Sequence, residues 1–222
     1  SANQAMRYAP PRGRNQKALA RYVSLPGREV RDIATGDLDN DSQPETVIAF
    51  LNRPARSGGL LVLSPRGEEY VPIADFQQRD YLPFLVRIGD VNNDGRNEIL
   101  VGLFDRALTA KRSFSMKLHV FAWQEGRLLP LWFTARTYDD FVVRPLDGRN
   151  RLVELRHGKR STRLAFFTWT HFGLWLDDAL VIDRSGLTLD HGSSGVALRD
   201  QRGRRVTIKE LPGRPAGREE QP

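Results

Sequence analysis

The sequence predicts an all-β fold, a β-propeller of about four blades, and three observations lead to this prediction. First, a small residue recurs at nearly constant spacing, because Ser42, Gly95, Gly148 and Gly203 are separated by 53, 53 and 55 residues. Second, each of these residues is followed by an apolar run typical of a β-strand. Third, turn residues divide each repeat into about four such runs, and helical periodicity is nearly absent. Four short strands in about 50 residues is the pattern of a propeller blade.

The strand-like runs define the repeat and its ends. The first strand of the successive repeats is "ETVIAFL", "NEILVGLF", "NRLVELR" and "RRVTIKE". Residues 17–36 match the third and fourth strands of a repeat, whereas residues 205–209 match a first strand. We therefore expect three complete blades and one blade shared by the N- and C-terminal strands, which would leave no exposed sheet edge. The alternative is a partial propeller that dimerises.

The predicted domain organisation has three parts. Residues 1–16 are rich in small and polar residues and contain two prolines, which predicts a flexible tether. Residues 17–210 form the propeller domain, and residues 211–222 are predicted to be a disordered tail. The first residues lack the charged and apolar regions of a signal peptide. A secreted or lipid-anchored protein from which the leader has been removed would begin in this way.

Composition excludes several classes of function. The net charge is +7, but only 5 of the 34 basic residues are lysines, and much of the excess lies near the two ends. This arginine bias does not predict a nucleic-acid partner. No apolar run approaches the roughly 20 residues that cross a bilayer, so no transmembrane segment is predicted. The chain has no cysteine, which removes disulfides and thiolate chemistry.

Two acidic loops share the pattern D-x-[DN]-x-D-[GS]-x-x-E, within "GDLDNDSQPETVIAF" (36–50) and "GDVNNDGRNEILVG" (89–102). Carboxylates this close repel one another unless they are solvated or bound to a cation. Oxygen ligands at alternate positions of a tight turn suit Ca²⁺. The predicted ligands, with position seven contributing its backbone carbonyl, are Asp37, Asp39, Asp41, Gln43 and Glu45 in the first acidic loop, and Asp90, Asn92, Asp94, Arg96 and Glu98 in the second.

The two acidic loops have two other possible interpretations, an EF-hand and an acidic β-turn without a metal. An EF-hand needs an acidic residue at position twelve and helices on both sides, but Ile48 and Val101 occupy that position within strand-like runs. Acidic β-turns without a metal are the simpler alternative, because Asp and Asn favour turns for local reasons. The occurrence of two copies in the 53-residue frame favours metal binding. Position six should have a positive φ, which Gly95 adopts freely and Ser42 only at a cost.

The two copies of "GDxxxDxxxE" that enter a strand resemble the FG-GAP/VCBS repeats of integrin-type β-propellers. The resemblance covers about residues 17–210 and implies that each acidic loop binds Ca²⁺ at a blade edge. It does not extend to the third repeat, where Val143 and Pro145 occupy ligand positions, or to the fourth, where Leu198 and Arg202 do. The resemblance therefore implies about two calcium ions.

No motif predicts catalysis. His119, His157, His171 and His191 lack the spacing of a metal site, and no nucleophile elbow, P-loop or dinucleotide motif occurs. His119 is expected to be a hydrogen-bonded strand histidine. The tryptophans are expected mainly in packing between strands and blades, and the stretch "HFGLWLDD" (171–178) is the exception to watch. The chain is not expected to be an enzyme.

The leading hypothesis is an extracellular, calcium-stabilised β-propeller that binds a protein or glycan at the cell surface without chemistry of its own. High free calcium outside the cell suits loops of modest affinity. One alternative is a structural domain that self-associates, as a homodimer of incomplete rings would. A second alternative, of a different class, is a polysaccharide hydrolase or lyase.

Overall fold

The computed structural model describes residues 22, 27–105, 115–136, 138–192, 195–206 and 213–215. The predicted tether, residues 1–16, lies outside these residues. The regular elements of the described chain are sixteen β-strands in four antiparallel sheets. The fold class is therefore all-β, a β-propeller of four blades, as the repeat predicts. No helix among the described residues has the length and apolar character needed to span a membrane.

The chain divides into two compact units, residues 1–88 with 96–136 and residues 89–95 with 137–222. Apart from Gly89, the strands of the first two sheets belong to the first compact unit. The first sheet contains β1 (Arg28–Gly36), β2 (Glu45–Asn52), β3 (Ser57–Arg66) and β4 (Glu69–Arg79). The second sheet contains β5 (Pro83–Gly89), β6 (Glu98–Asp105), β7 (Ser115–Gln124) and β8 (Arg127–Arg136). In both sheets the strand order follows the chain.

The other two sheets belong to the second compact unit and are less uniform. The third sheet contains β9 (Asp140–Leu146), β10 (Arg149–His157), β11 (Thr162–Thr170), β12 (Gly173–Ile182) and β16 (Gly213–Pro215). The fourth contains β13 (Thr188–Leu189), β14 (Leu198–Arg199) and β15 (Arg205–Val206). The fourth sheet thus has three described strands, each of two residues.

The predicted allocation of strands to blades is wrong by one strand. Residues 28–36 were expected to close a shared fourth blade against residues 205–209, but β1 pairs with β2 as the first strand of the first sheet. In the same way β5, which was expected to end the first blade, begins the second. The cause is the acidic loop itself, which joins β1 to β2 as a hairpin with Gly36 opposite Glu45. The segment before residue 22 and residues 207–210 lie outside the described chain.

The predicted disordered tail, residues 211–222, also needs correction. Its residues Gly213–Pro215 form β16, which pairs with Leu180, Val181 and Ile182 of β12. The backbone groups on the free edge of β12 provide the partners for this strand. Residues 211–212 and 216–222 are not among the described residues.

The central strands of the first compact unit are buried on both faces. Val47 and Ala49 of β2 pack in one apolar cluster that includes residues of β3, β5, β6 and β7. Their neighbours Ile48 and Phe50 point the other way and pack in a second cluster with residues of β3. The strand period of two therefore serves two cores, which explains why "ETVIAFL" is an apolar run without alternation. In the second compact unit, a separate core joins residues of β10, β11 and β12 to those around β13 and β14.

Candidate metal centre

The two acidic loops connect the first and second strands of the first two sheets. Each begins immediately after a glycine that lies against a strand of a following sheet. A Cβ on Gly36 would lie 2.5 Å from Ile88 Cγ2, and a Cβ on Gly89 would lie 2.8 Å from Val143 Cβ. Because these separations are shorter than van der Waals contact, the glycine in each "GD" step is required by packing. The aspartate that follows each glycine is thereby held at the end of a strand.

The backbone of the two acidic loops has the same conformation at the positions that can be compared. Position four has a φ of 63° in both loops, at Asn40 and at Asn93. Position six has a φ of 66° at Ser42 and of 86° at Gly95. The expected positive φ at position six is confirmed. Ser42 therefore adopts a left-handed conformation that disfavours residues with a Cβ.

In the first acidic loop, side-chain oxygens accept hydrogen bonds from the loop's own amides. Asp37 Oδ2 accepts from the Ser42 amide at 3.0 Å, and Asp39 Oδ1 accepts from the Asp41 amide at 3.2 Å. These bonds fold the chain around its own carboxylates. They bring the acidic side chains of positions one and three to the same side of the turn.

The second acidic loop repeats this arrangement. Asp90 Oδ2 accepts from the Gly95 amide at 3.1 Å, and Asn92 Oδ1 accepts from the Asp94 amide at 2.9 Å. The amide of Asp94 also donates to Asp90 Oδ1 at 3.1 Å. The side chain of Asn92 donates to Asp94 Oδ2 at 3.0 Å, so positions three and five are joined directly in this loop.

Three carboxylates of the first acidic loop converge. One oxygen each from Asp37, Asp39 and Glu45 lies within 4.8 Å of the other two. Glu45 is fully buried, and its Oε2 accepts a hydrogen bond from the Leu38 amide at 3.0 Å. Its Oε1 is buried and has no hydrogen-bond partner among the described residues, and the same holds for Asp37 Oδ1. Buried carboxylate oxygens without donors are costly, and a cation among them would remove that cost.

The electrostatics of Glu45 reflect this position. Burial raises the pKa of Glu45 above its ordinary value, and the negative charges of Asp39 and Asp41 raise it further. The hydrogen bond from the Leu38 amide acts in the opposite direction. Without a cation, the first acidic loop therefore holds Glu45 in an environment that disfavours its charged form.

The other predicted ligands of the first acidic loop are exposed. Asp41 lies outside the group of three converging carboxylates, and its Oδ1 accepts a hydrogen bond from the Gln43 amide at 2.7 Å. The Gln43 side chain turns back towards Asp41 Oδ2. Asp41 therefore closes the turn with Gln43. Its role as a metal ligand stays a prediction.

In the second acidic loop, position nine is as buried as in the first. Glu98 opens β6 and is 1% exposed, which matches Glu45 at the start of β2. Arg96, at position seven, is exposed. The other side-chain oxygens of this loop, which joins β5 to β6, come from Asp90, Asn92 and Asp94.

Two asparagines that the loop pattern did not indicate lie beside the acidic loops. Asn97 donates from Nδ2 to the carbonyl of Asp37 at 2.7 Å, and Asn150 donates from Nδ2 to Asp90 Oδ2 at 3.4 Å. Asn150 is also joined to Asn93 by two hydrogen bonds, at 2.7 and 3.1 Å. Asn97 and Asn150 are 53 residues apart, which is the spacing of the repeat. Each of them contacts position one of the preceding acidic loop. The repeat spacing alone could have indicated them.

In the third and fourth repeats, the described residues of the corresponding turn form no group of three converging carboxylates. In the third, the exposed Asp147 lies 3.7 Å from Arg151. In the fourth, Asp200 aligns with Asp39 in the repeat frame, and its side chain is 3% exposed. Its Oδ1 accepts from the amide of Arg204 and its Oδ2 from the guanidinium of the same residue, both at 3.0 Å. An arginine thus stands where the first acidic loop would need a cation.

His119 is surrounded by aromatic rings. It lies on β7 against the rings of Tyr81, Phe121 and Phe133. Burial lowers its pKa, and the positive charge of Lys117 lowers it further. His119 lies on a strand, as expected, but its described neighbours are aromatic rings, and the hydrogen bond expected for its side chain stays a prediction.

Aromatic side chains differ in exposure. Trp123 is 7% exposed and belongs to the core, as expected. Phe172 is 92% exposed and Trp175 is 66% exposed, at the turn between β11 and β12. Trp175 lies in the stretch that was singled out as the exception to packing, and its side chain is turned to solvent. The stretch "HFGLWLDD" presents two large apolar rings on the surface of the second compact unit.

Comparisons with known proteins identify no family for this chain. No family model matches the chain, and no curated protein matches it. Among solved structures, the chain is similar to the crystal structure of exotype rhamnogalacturonan lyase YesX, with 15% sequence identity and a TM-score of 0.48. The similarity covers 79% of this chain and 40% of that chain, so this chain spans less than half of that protein's length. A similarity at this level is no argument for a shared function.

Proposed function

We propose that this protein is an extracytoplasmic, calcium-stabilised β-propeller that binds a protein or glycan at the cell surface and performs no chemistry. The observation that carries the proposal is the buried Oε1 of Glu45, which lies beside the carboxylates of Asp37 and Asp39 and has no hydrogen-bond partner in the part of the chain that the structure describes. An unpaired, buried carboxylate oxygen costs free energy unless a cation binds it. The second acidic loop, with the same backbone, would hold a second ion.

The chemistry of the donors favours calcium over other cations. The side chains at the ligand positions offer carboxylate and amide oxygens, which are hard ligands, and no histidine or cysteine lies among them. Calcium accepts six to eight oxygens in an irregular shell, whereas magnesium requires near-ideal octahedral geometry. Asp37, Asp39 and Glu45, with the backbone carbonyl of Gln43, would provide part of such a shell in the first acidic loop. Water would complete it.

The extracytoplasmic location follows from the affinity expected of such loops. The ligands of each loop come from a nine-residue turn and leave part of the ion to solvent, which is typical of modest calcium affinity. Calcium is abundant enough to fill sites of this kind outside the cell. In this proposal the ions stabilise the hairpins that join β1 to β2 and β5 to β6, and they take no part in a reaction.

The surface that supports a binding role is the turn between β11 and β12. Phe172 and Trp175 are strongly exposed there. Large exposed aromatic side chains can anchor protein interfaces or stack on sugar rings. The polar neighbours of Trp175, Asp177 and Asp178, can accept hydrogen bonds from the same ligand.

The test is a binding screen on glycan and protein arrays with the calcium-loaded protein and with the chelated protein. The variant Phe172→Ala/Trp175→Ala is compared with Phe133→Ala, a control that removes another exposed ring, 70% exposed, from β8. We expect a ligand whose binding is lost in the double variant and kept in the control. Capture of a second copy of the chain alone would favour the structural alternative instead. Turnover of a polysaccharide would contradict the absence of chemistry.

A further inference from the structure

A cavity of about 580 Å³ lies within the second compact unit. It opens between the turn after β10, the segment that joins β12 to β13, and the turn between β14 and β15. Its charged lining residues are Arg160, Asp183, Arg184, Asp200, Arg202 and Arg204. Four arginines and two aspartates leave an excess of two positive charges around one small volume. Such a surplus attracts an anion.

The buried carboxylate of Asp200 organises this cavity. Its Oδ1 accepts hydrogen bonds from the amides of Arg202 and Arg204, at 2.9 and 3.0 Å. Its Oδ2 lies 2.8 Å from Arg204 Nη2 and 3.3 Å from Arg184 Nη2. One aspartate therefore fixes both the backbone of the turn and the direction of two guanidinium groups.

Arg184 is also anchored from the opposite side. Its carbonyl accepts a hydrogen bond from Thr162 Oγ1 at 2.8 Å, and Thr162 is fully buried. Each guanidinium has five N–H donors, and the bonds to Asp200 use only some of those of Arg184 and Arg204. The side chains of these two arginines are 43% and 67% exposed, so donors remain available to a ligand in the cavity.

The side chains of the other two lining arginines are not held by the described part of the chain. The side chains of Arg160 and Arg202 make no hydrogen bond or ion pair with any described residue. Arg160 lies on a turn closed by a hydrogen bond from the Gly158 amide to the Ser161 carbonyl, at 2.8 Å. Because that turn is tied to itself, Arg160 is presented at the rim and is not needed to hold the fold.

We propose that this cavity binds an anionic ligand in which a phosphate, sulfate or carboxylate group is attached to a body about the size of a sugar. The planar guanidinium matches the oxygens of all three groups, and two or more arginines can share one group. The volume lies within the range of pockets for small organic ligands, and a bare inorganic ion would fill only a small part of it. The site is separate in sequence from both acidic loops and does not depend on calcium.

The test uses four probes with the same sugar, namely glucose 6-phosphate, glucose 6-sulfate, glucuronate and neutral glucose. Binding to the full chain is measured by calorimetry at low ionic strength, with and without calcium. We expect at least one anionic probe to bind, glucose not to bind, and chelation to leave the affinity unchanged. The three anionic probes distinguish the chemical source of the oxyanion. Calcium-dependent binding of the probes, or equal binding of glucose, would overturn the proposal.

The matched variants are Arg160→Gln/Arg202→Gln and the control Arg149→Gln. Arg149 is exposed at the opposite end of β10 from the turn that carries Arg160. Loss of charge-assisted hydrogen bonds should weaken the anionic probe by about tenfold or more in the double variant and leave the control unchanged. Both variants should melt like the parent, because the substituted side chains make no hydrogen bond or ion pair with a described residue. Unchanged affinity in the double variant, or binding of none of the anions, would contradict the site.

Discussion

Two buried acidic sites of this chain handle their negative charge in different ways. In the first acidic loop, Glu45 and Asp37 each keep a buried oxygen to which no described residue donates a hydrogen bond. In the turn after β14, Asp200 receives donors from two backbone amides and from the guanidinium groups of Arg184 and Arg204. The fourth repeat therefore pairs its carboxylate with the chain's own arginines. In the function proposed above, a calcium ion would take the corresponding place in the first repeat.

We therefore expect the two sites to differ in whether they depend on calcium in the solution. The first acidic loop should respond to calcium and should hold its carboxylates under strain when calcium is removed. The Asp200 turn should be indifferent to calcium and should depend on the chain's own arginines.

The largest effect is expected for Asp200→Ala. The substitution leaves two backbone amides and parts of two guanidinium groups without their acceptor, which is more than any single change in an acidic loop removes. The melting temperature should fall clearly, by the same amount with and without calcium, in a thermal melt followed by circular dichroism. A control is Asp183→Ala, an exposed neighbour whose side chain has no partner in the described chain. If Asp200→Ala melts like that control, the carboxylate does not organise the turn.

The next effect is the stabilisation by calcium. An ion that binds the folded loop and not the unfolded chain adds about 2.7 kcal/mol per site at 100 times its dissociation constant. Glu45→Gln should lose the share of the first acidic loop while it keeps an acceptor for the Leu38 amide. Asp147→Asn changes an acidic turn of the third repeat and should keep the full calcium response. Urea unfolding with and without calcium measures both differences, and equal responses in the two variants would argue against the first loop.

The two carboxylates should also respond to pH with opposite signs. Burial raises the pKa of Glu45, so in calcium-free protein the folded state binds the proton more tightly, and stability relative to Glu45→Gln rises as the pH falls towards 4.5. For Asp200, burial acts to raise the pKa, but hydrogen bonds from Arg204 and Arg202 outweigh it and the pKa is lowered. Its contribution is therefore present above 3.8 and is lost as the pH falls through the lower folded value. Stability measured against pH for Glu45→Gln and Asp200→Asn should diverge in these directions, and parallel profiles would contradict the comparison.

The smallest effect concerns position six of the acidic loops. Ser42 has a φ of 66°, and its side chain makes no hydrogen bond with a described residue, so Ser42→Gly should stabilise the protein by about 1 kcal/mol. The reverse change, Gly95→Ser, should cost a similar amount, because the space around Gly95 is open and only the backbone conformation is penalised. Chemical denaturation of the two variants measures the pair. A loss of stability in Ser42→Gly would show that Ser42 holds the loop by another interaction.

The sequence was sufficient for some features of this fold and insufficient for others. The spacing of Ser42, Gly95, Gly148 and Gly203 predicted the four sheets, since a period is local information carried by turn residues and apolar runs. A period does not say where a blade begins. That was decided by the hairpin that the first acidic loop makes between β1 and β2, which moved residues 28–36 into the first sheet.

The candidate sites differ in the same respect. The acidic residues of each loop lie within nine positions, so their clustering at Asp37, Asp39 and Glu45 could be predicted from spacing. The cavity arginines lie on three turns spread from Arg160 to Arg204, among many other arginines of the chain. Only the folded chain brings them around one volume, and nothing in their local sequence distinguishes them.

Whether the buried carboxylates hold calcium is measured most directly by the number of ions bound to the chain and to Glu45→Gln, by calorimetry and by native mass spectrometry. We expect two ions for the parent, and one for Glu45→Gln, Asp37→Asn or Glu98→Gln. The control Asp147→Asn should keep both ions. One ion or none in the parent, or two ions in Glu45→Gln, would contradict the claim that the buried carboxylates of the first acidic loop are there to hold a cation.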